Sequence, residues 1–126
     1  MSYTYDKELV LEILNNAAWS IGIILKRSHE IKSFDDFLKD DDGLEKLDSI
    51  CMQFINIGEA LKELDKITSQ KLLENYQAVD WKAVKGMRDV ITHHYFDIDA
   101  EIVFETIQEK LPQLQNTIKK IISDIN

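Results

Sequence analysis

Three stretches of this chain place apolar residues at steps of three and four, and little interrupts them. Val10, Ile13, Ala17, Ile21 and Ile24 form the first stripe, widened by Leu14 and Leu25. Leu47, Cys51, Phe54, Gly58 and Leu61 form the second, flanked by Ile50, Ile57 and Leu64. Val103, Ile107, Leu111, Leu114, Ile118, Ile121 and Ile125 form the third. Residues three or four apart share one face of an α-helix, so each stripe is a face that must be buried against a neighbour. With four glycines and one proline in 126 residues, there is little turn chemistry for a sheet. The expected fold is all-α, an up-down helical bundle in a single domain over residues 1–126. Its helices are expected at 6–30, 34–39, 43–65, 69–77, 81–94 and 98–125.

The boundaries carry capping signals. Ser33 followed by Asp36 resembles a capping box at the start of a short helix. Asp40-Asp-Asp-Gly43 reads as a solvated break, and Thr68 or Ser69 as the cap of another short helix. Asp80 precedes Trp81 as an N-cap, and Asp97 or Asp99 opens the last helix. Pro112 falls inside that last helix, where it should kink the helix or leave a carbonyl unpaired. Trp19 lies off the centre of the first stripe and is available for a second contact surface.

No apolar run reaches the roughly 18 residues of a membrane helix, and no basic stretch leads into an apolar core near the N-terminus. A cytoplasmic protein without membrane contact is expected. The single cysteine, Cys51, lies within a core stripe and reads as a packing thiol. It excludes an internal disulfide and a Cys-rich zinc site.

The net charge of −8 disfavours broad non-specific binding to nucleic acid. That charge is concentrated, because residues 35–48 hold seven acids against two lysines. Residues 81–96 differ: Lys82, Lys85 and Arg88 stand against Asp89 alone.

The basic segment includes Arg88-Asp-Val-Ile-Thr-His93-His94-Tyr95. Asp89 and His93 are four apart and share a helix face, where a carboxylate can hold an imidazole in one tautomer. Arg88 and His93 are separated by about 140° around a helix axis. They converge on one ligand only near a helix end, or if a second chain supplies one of them. These residue types suit RNA cleavage. A histidine can deprotonate the 2′-hydroxyl, and a guanidinium can hold the phosphate and its developing charge. The chemistry needs no metal. His93 and His94 with Asp97 or Asp99 make a poor metal set, since adjacent helical residues diverge by about 100°. A histidine and a tyrosine at a helix end also serve as caps or packing groups, and spacing alone does not separate the two roles.

Arg88-x4-His93-x-Tyr95 resembles the signature of HEPN domains. Its frame is more specific: Ile57-Gly58-Glu59-Ala60, then Asp80-Trp81-Lys82-Ala83-Val84-Lys85-Gly86-Met87-Arg88-Asp89, and later Leu111-Pro112-x-Leu114. From about Ile13 to the C-terminus the chain is similar to the HepT-like family of HEPN-domain toxins. The resemblance implies a four-helix core with short extra helices, and a homodimer in which the motif helices face each other. It also implies a metal-independent ribonuclease toxin without a cofactor, acting on RNA and not DNA. The implied antitoxin is a small MNT-type nucleotidyltransferase, which in some modules transfers AMP to the motif tyrosine. Residue by residue, Arg88 corresponds to the phosphate-binding residue, His93 to the general acid or base, and Tyr95 to the AMP-acceptor candidate. Asp89 corresponds to the polar second position supporting Arg88 or His93.

The chain departs from the family pattern in places. Asp89 stands where Asn is frequent and adds a negative charge beside a phosphate site. His94 fills a variable position and is expected to be exposed. Asp80 replaces a common proline. Glu59 either pairs with Arg88 or makes an interhelical structural hydrogen bond. Trp81 and Met87 are expected in core or dimer contacts, Gly58 at a close helix approach, and His29 without chemistry. The alternative function is a non-catalytic helical subunit that docks onto the nucleotidyltransferase.

Overall fold

The computed structural model describes residues 5–93 and 98–126; at Arg88 and residues 90–93 it describes the helical backbone and not the side chains. Among the described residues, six α-helices and one 3-10 turn make up the regular structure and no strand occurs. In chain order they are α1 (Lys7–Arg27), α2 (Asp35–Leu38), α3 (Asp41–Ile67), α4 (Trp81–His93), α5 (Ala100–Glu109) and α6 (Leu111–Ile125). The expected all-α bundle is what the chain forms. α3 lies at its centre, packed against α1, α4 and the short α2, while α6 closes on α1 and α5.

The three stripes meet in one core. Val10, Leu14, Ile21 and Ile24 of α1, Ile50, Ile57, Leu61 and Leu64 of α3, and Ile118 and Ile121 of α6 are essentially sealed from solvent. Burying each such side chain contributes about 1.5–3 kcal/mol, which is why the stripes dictate the packing. α1 is long and apolar enough, by length and composition, to cross a membrane. Here its apolar stripe is buried in this core instead. Trp19, off that stripe, is 61% exposed.

The helix ends show where local and tertiary forces disagree. α1 is capped by the Asp6 carboxylate, which accepts from Leu9 N–H at 3.1 Å. It stops at Arg27, short of the expected residue 30, because the chain turns there to bury Ile31 and then Phe37. The Ser33–Asp36 box does not form. α2 has no side-chain N-cap, and Asp36 instead accepts the Lys32 backbone N–H at 2.8 Å.

Asp40–Gly43 is not a break. Asp40 caps α3 by accepting from Gly43 N–H at 2.7 Å, and Asp41 and Asp42 lie in the first turn, where acids favour the helix dipole. Gly43 is required by packing. A Cβ there would lie 2.2 Å from the Asp36 carbonyl oxygen, so glycine lets α2 rest on the start of α3.

The helix expected at 69–77 shrinks to a 3-10 turn at Leu73–Asn75. Thr68 ends α3 rather than starting a helix: its hydroxyl donates to the Leu64 carbonyl at 2.8 Å. Ser69 and Gln70 then adopt positive φ of 52° and 62°, a costly conformation for side-chain-bearing residues. Burial of Leu72 and Leu73 immediately afterwards offsets that cost.

The single helix expected at 98–125 is two. α5 begins with the Asp99 carboxylate accepting from Glu101 and Ile102 N–H, and it ends at Glu109 with Lys110 as its C-cap. Pro112 then sits in the first turn of α6, where its missing N–H has no intrahelical acceptor to lose. Proline starts a helix here instead of kinking one. Asp97, the other expected cap, lies outside the described residues.

Candidate functional site

α4 carries the motif, and its start is well determined. The Asp80 carboxylate accepts from Ala83 N–H at 3.0 Å, so Asp80 caps α4 without the proline common in the family pattern. The Trp81 indole N–H donates to the Tyr76 carbonyl at 2.8 Å, tying the first turn to the preceding loop. Trp81, Val84 and Met87 are partly buried against the core, as expected of a core-facing side.

The opposite side of α4 faces a groove. Lys82, Lys85, Gly86 and Asp89 line it from α4, and Lys62, Asp65 and Lys66 line it from α3, with Gln70 just beyond. It is open to solvent and has a volume of about 520 Å³. Two ion pairs cross between its walls. Lys62 Nζ lies 3.3 Å from an Asp89 carboxylate oxygen, both side chains being nearly half exposed, and Lys85 pairs with Asp65. The exposed Lys62–Asp89 pair contributes little to stability, about 0–1 kcal/mol, whereas Lys85 and Asp65 are largely shielded from solvent; both pairs set where their lysines sit. Lys66 and Lys82 are exposed and have no carboxylate partner among the described residues. The groove is therefore net positive on a chain whose net charge is −8.

The crossing pairs also fix the register. Lys62 meets Asp89 and Asp65 meets Lys85, so α3 and α4 run antiparallel. Carried one turn back along α3, this register sets Glu59 level with the C-terminal turn of α4. Glu59 is exposed on that side of α3, on the same helical line as Lys62 and Lys66.

Arg88 and His93 both lie within α4, and His93 is its last residue. Their side chains are outside the described residues, as are His94 and Tyr95 altogether. Along α4, Lys82, Gly86, Asp89 and His93 follow one another at steps of four, three and four, one helical line on the groove side. Arg88 lies on the line of Trp81 and Val84, turned by about 140° from His93. The pairing of Asp89 with Lys62 was not legible in the sequence. Lys62 and Lys66 fall on the polar side of α3, four apart, and nothing in the pattern of one helix says which neighbour that side meets.

Elsewhere, Cys51 is buried, and burial pushes its thiol up to about 12, with nearby Asp48 adding to the effect. It is a packing residue, since a nucleophile needs the thiolate. His29 is exposed beyond the end of α1. Among the described residues, no group of three His, Cys, Asp or Glu side chains is placed to hold a metal ion.

The family model described as Ribonuclease HepT-like matches residues 17–121. A Caldanaerobacter subterraneus protein that carries a provisional RNase name is 35% identical over 94 residues, which is 71% of this chain and 74% of its own length. A similarly named protein of Methanocaldococcus jannaschii is 35% identical over 94 residues, covering 74% of this chain and 71% of that protein. A Thermococcus cleftensis protein named probable ribonuclease HepT is 27% identical over 111 residues, covering 87% of this chain and 93% of its own. No solved structure matches the chain significantly.

Proposed function

Because this chain belongs to the ribonuclease HepT-like family, we propose that it is a metal-independent endoribonuclease toxin of a HEPN/MNT module, working as a homodimer. The carrying observation is that the family match over residues 17–121 runs through the whole of Arg88-x4-His93-x-Tyr95. The helical span of α4, which holds Arg88 and His93 beside a positive groove, supports the same reading.

His93 takes the proton from a ribose 2′-hydroxyl. The freed 2′-oxygen attacks the adjacent phosphorus, and the bond to the 5′-oxygen of the next nucleotide breaks. The departing 5′-oxygen takes a proton from a second acid, His93 of the other copy. One product end is a 2′,3′-cyclic phosphate and the other a 5′-hydroxyl. Arg88 binds the phosphate and offsets the charge that builds on its oxygens. Two copies bring Arg88 and His93, about 140° apart on one helix, around a single phosphate. Asp89 and Glu59 are supporting residues that bias the orientation and protonation of the motif. Tyr95 is the acceptor of AMP from the nucleotidyltransferase antitoxin, and the added phosphate repels RNA from the cleft.

The test uses purified protein, free of its partner, incubated with RNA in EDTA beside His93→Ala. Cleavage by the wild type alone, with cyclic phosphate ends, is the expected outcome. Equal inactivity of both, with mass spectrometry showing Tyr95 unmodified, would sink the enzyme. That result would favour a non-catalytic subunit docking onto the nucleotidyltransferase, a reading that the chain's acidic balance supports.

A further inference from the structure

We propose that the groove between α3 and α4 is a track for the phosphodiester backbone of single-stranded RNA, with Lys66 and Lys82 holding phosphates that flank the cut site. This deepens the ribonuclease reading and rests on it for the identity of the ligand.

The net charge of −8 is the obvious objection, and the lining of the groove answers it. α3 carries four acids in its first turns, Asp41, Asp42, Glu45 and Asp48, and Glu59, Glu63 and Asp65 beside Lys62 and Lys66 at its far end; the groove itself is lined by four lysines against Asp65 and Asp89. Asp42 and Lys62 are separated by roughly 30 Å along the helix, at 1.5 Å per residue. Salt screens exposed charges beyond about 8 Å at physiological ionic strength. A phosphate in the groove therefore responds to the lining charges, four lysines against Asp65 and Asp89, and hardly to the acidic first turns of α3.

The groove itself sorts its lysines by role. Lys62 and Lys85 are paired across the walls with Asp89 and Asp65. They are oriented and partly neutralised. Lys66 and Lys82, one from each wall, are exposed and have no carboxylate partner among the described residues, so their charges are available to a ligand. Gly86 lies between the charged positions of α4 and keeps that part of the wall at backbone level. From Lys82 to Asp89 the α4 wall is about 10 Å long, room for roughly two phosphates. The helical line Lys82, Gly86, Asp89, His93 then leads a bound strand towards the C-terminal end of α4, where the motif lies.

The experiment measures binding of a fluorescein-labelled 20-nucleotide RNA, 2′-O-methylated throughout so that it cannot be cut, by anisotropy across a salt series. It compares the wild type, Lys66→Ala/Lys82→Ala, and Lys119→Ala/Lys120→Ala as a charge-matched control on α6. Losing two phosphate contacts makes the plot of log affinity against log salt shallower by about 1.4. The groove variant should show that change with weaker binding at low salt, and the control should not. Circular dichroism melts of both variants should match the wild type, since all four lysines are exposed.

An unchanged slope in the groove variant overturns the track. So does an unchanged slope accompanied by a change in oligomeric mass on sedimentation, which makes the groove a contact between copies instead. The two proposals fail separately. A wild type that cuts no RNA but shows the slope change loses the nuclease and keeps the track. A wild type that cuts RNA with no slope change keeps the nuclease and loses the track.

Discussion

Gly43 and Gly86 both sit inside helices, yet a Cβ at the first would lie 2.2 Å from the Asp36 carbonyl oxygen, and one at the second would meet nothing within 4 Å. Around Gly43 the chain is acidic, capped and pressed against the backbone of α2. Around Gly86 it is basic and opens on a groove. The first region spends its residues on starting α3 and seating α2. The second leaves lysines exposed and a helix face uncovered, neither of which the core needs. The contrast separates residues that serve the fold from residues available to a ligand.

Gly43→Ala should break the first half of the comparison with the largest effect. The new methyl meets backbone, which cannot swing aside, so destabilisation of about 1–3 kcal/mol is expected. Chemical denaturation would measure it as a lowered midpoint with unchanged slope. A midpoint equal to the wild type would show that α2 does not bear on α3. Asp40→Ala should cost about 1 kcal/mol in the same assay, because the Gly43 N–H loses its acceptor. RNA binding by either variant, measured where it is folded, should keep the wild-type salt slope.

Gly86→Ala should move stability the other way, by about 0.5–1 kcal/mol in favour of the fold. Glycine is unfavourable within a helix, and no glycine in the described structure has positive φ. A loss of stability at this position would mean that α4 meets a neighbour there, such as a second copy, and would blur the contrast between the two glycines.

The smallest effect concerns pH. The Asp36 carboxyl is held below its ordinary value, first by the Lys32 backbone N–H and then by Lys39. A lowered folded-state pKa adds stability above the unfolded value and loses it as the pH falls through the folded one. The difference in denaturation midpoint between wild type and Asp36→Asn should therefore be present at neutral pH. It should fade only in acid, below the ordinary carboxylate range. A difference that persists there would assign it to hydrogen bonding that does not depend on charge.

Much of the bundle was legible in advance. The stripes through Val10–Ile24, Leu47–Leu61 and Leu111–Ile121 are the buried faces of α1, α3 and α6, and Cys51 packs where its spacing put it. Asp80 and Asp99 cap as their positions suggested, because a cap is a contact between near neighbours in sequence. The failures share a cause. Pro112 reads as a kink or an unpaired carbonyl inside one helix because continuous periodicity hides the boundary between Glu109 and Leu111. Thr68 or Ser69 reads as the cap of a helix over 69–77, but Ser69 and Gln70 take positive φ as the chain turns to bury Leu72 and Leu73. Of the expected site, Arg88, His93 and Tyr95 came from the motif. Lys62 and Lys66 carry no motif, so nothing in the sequence marks them.

Helical periodicity and local capping chemistry suffice for the all-α class, the core faces and the place of the motif helix, since each depends on residues within a few positions of one another. The groove does not follow from them. It exists because α3 and α4 pack antiparallel in one register, bringing Lys62 to Asp89 and Asp65 to Lys85 across 27 and 20 residues of chain. That register is set by how the apolar sides of the two helices interlock in the core. Only the packed bundle decides which polar faces end up opposite each other.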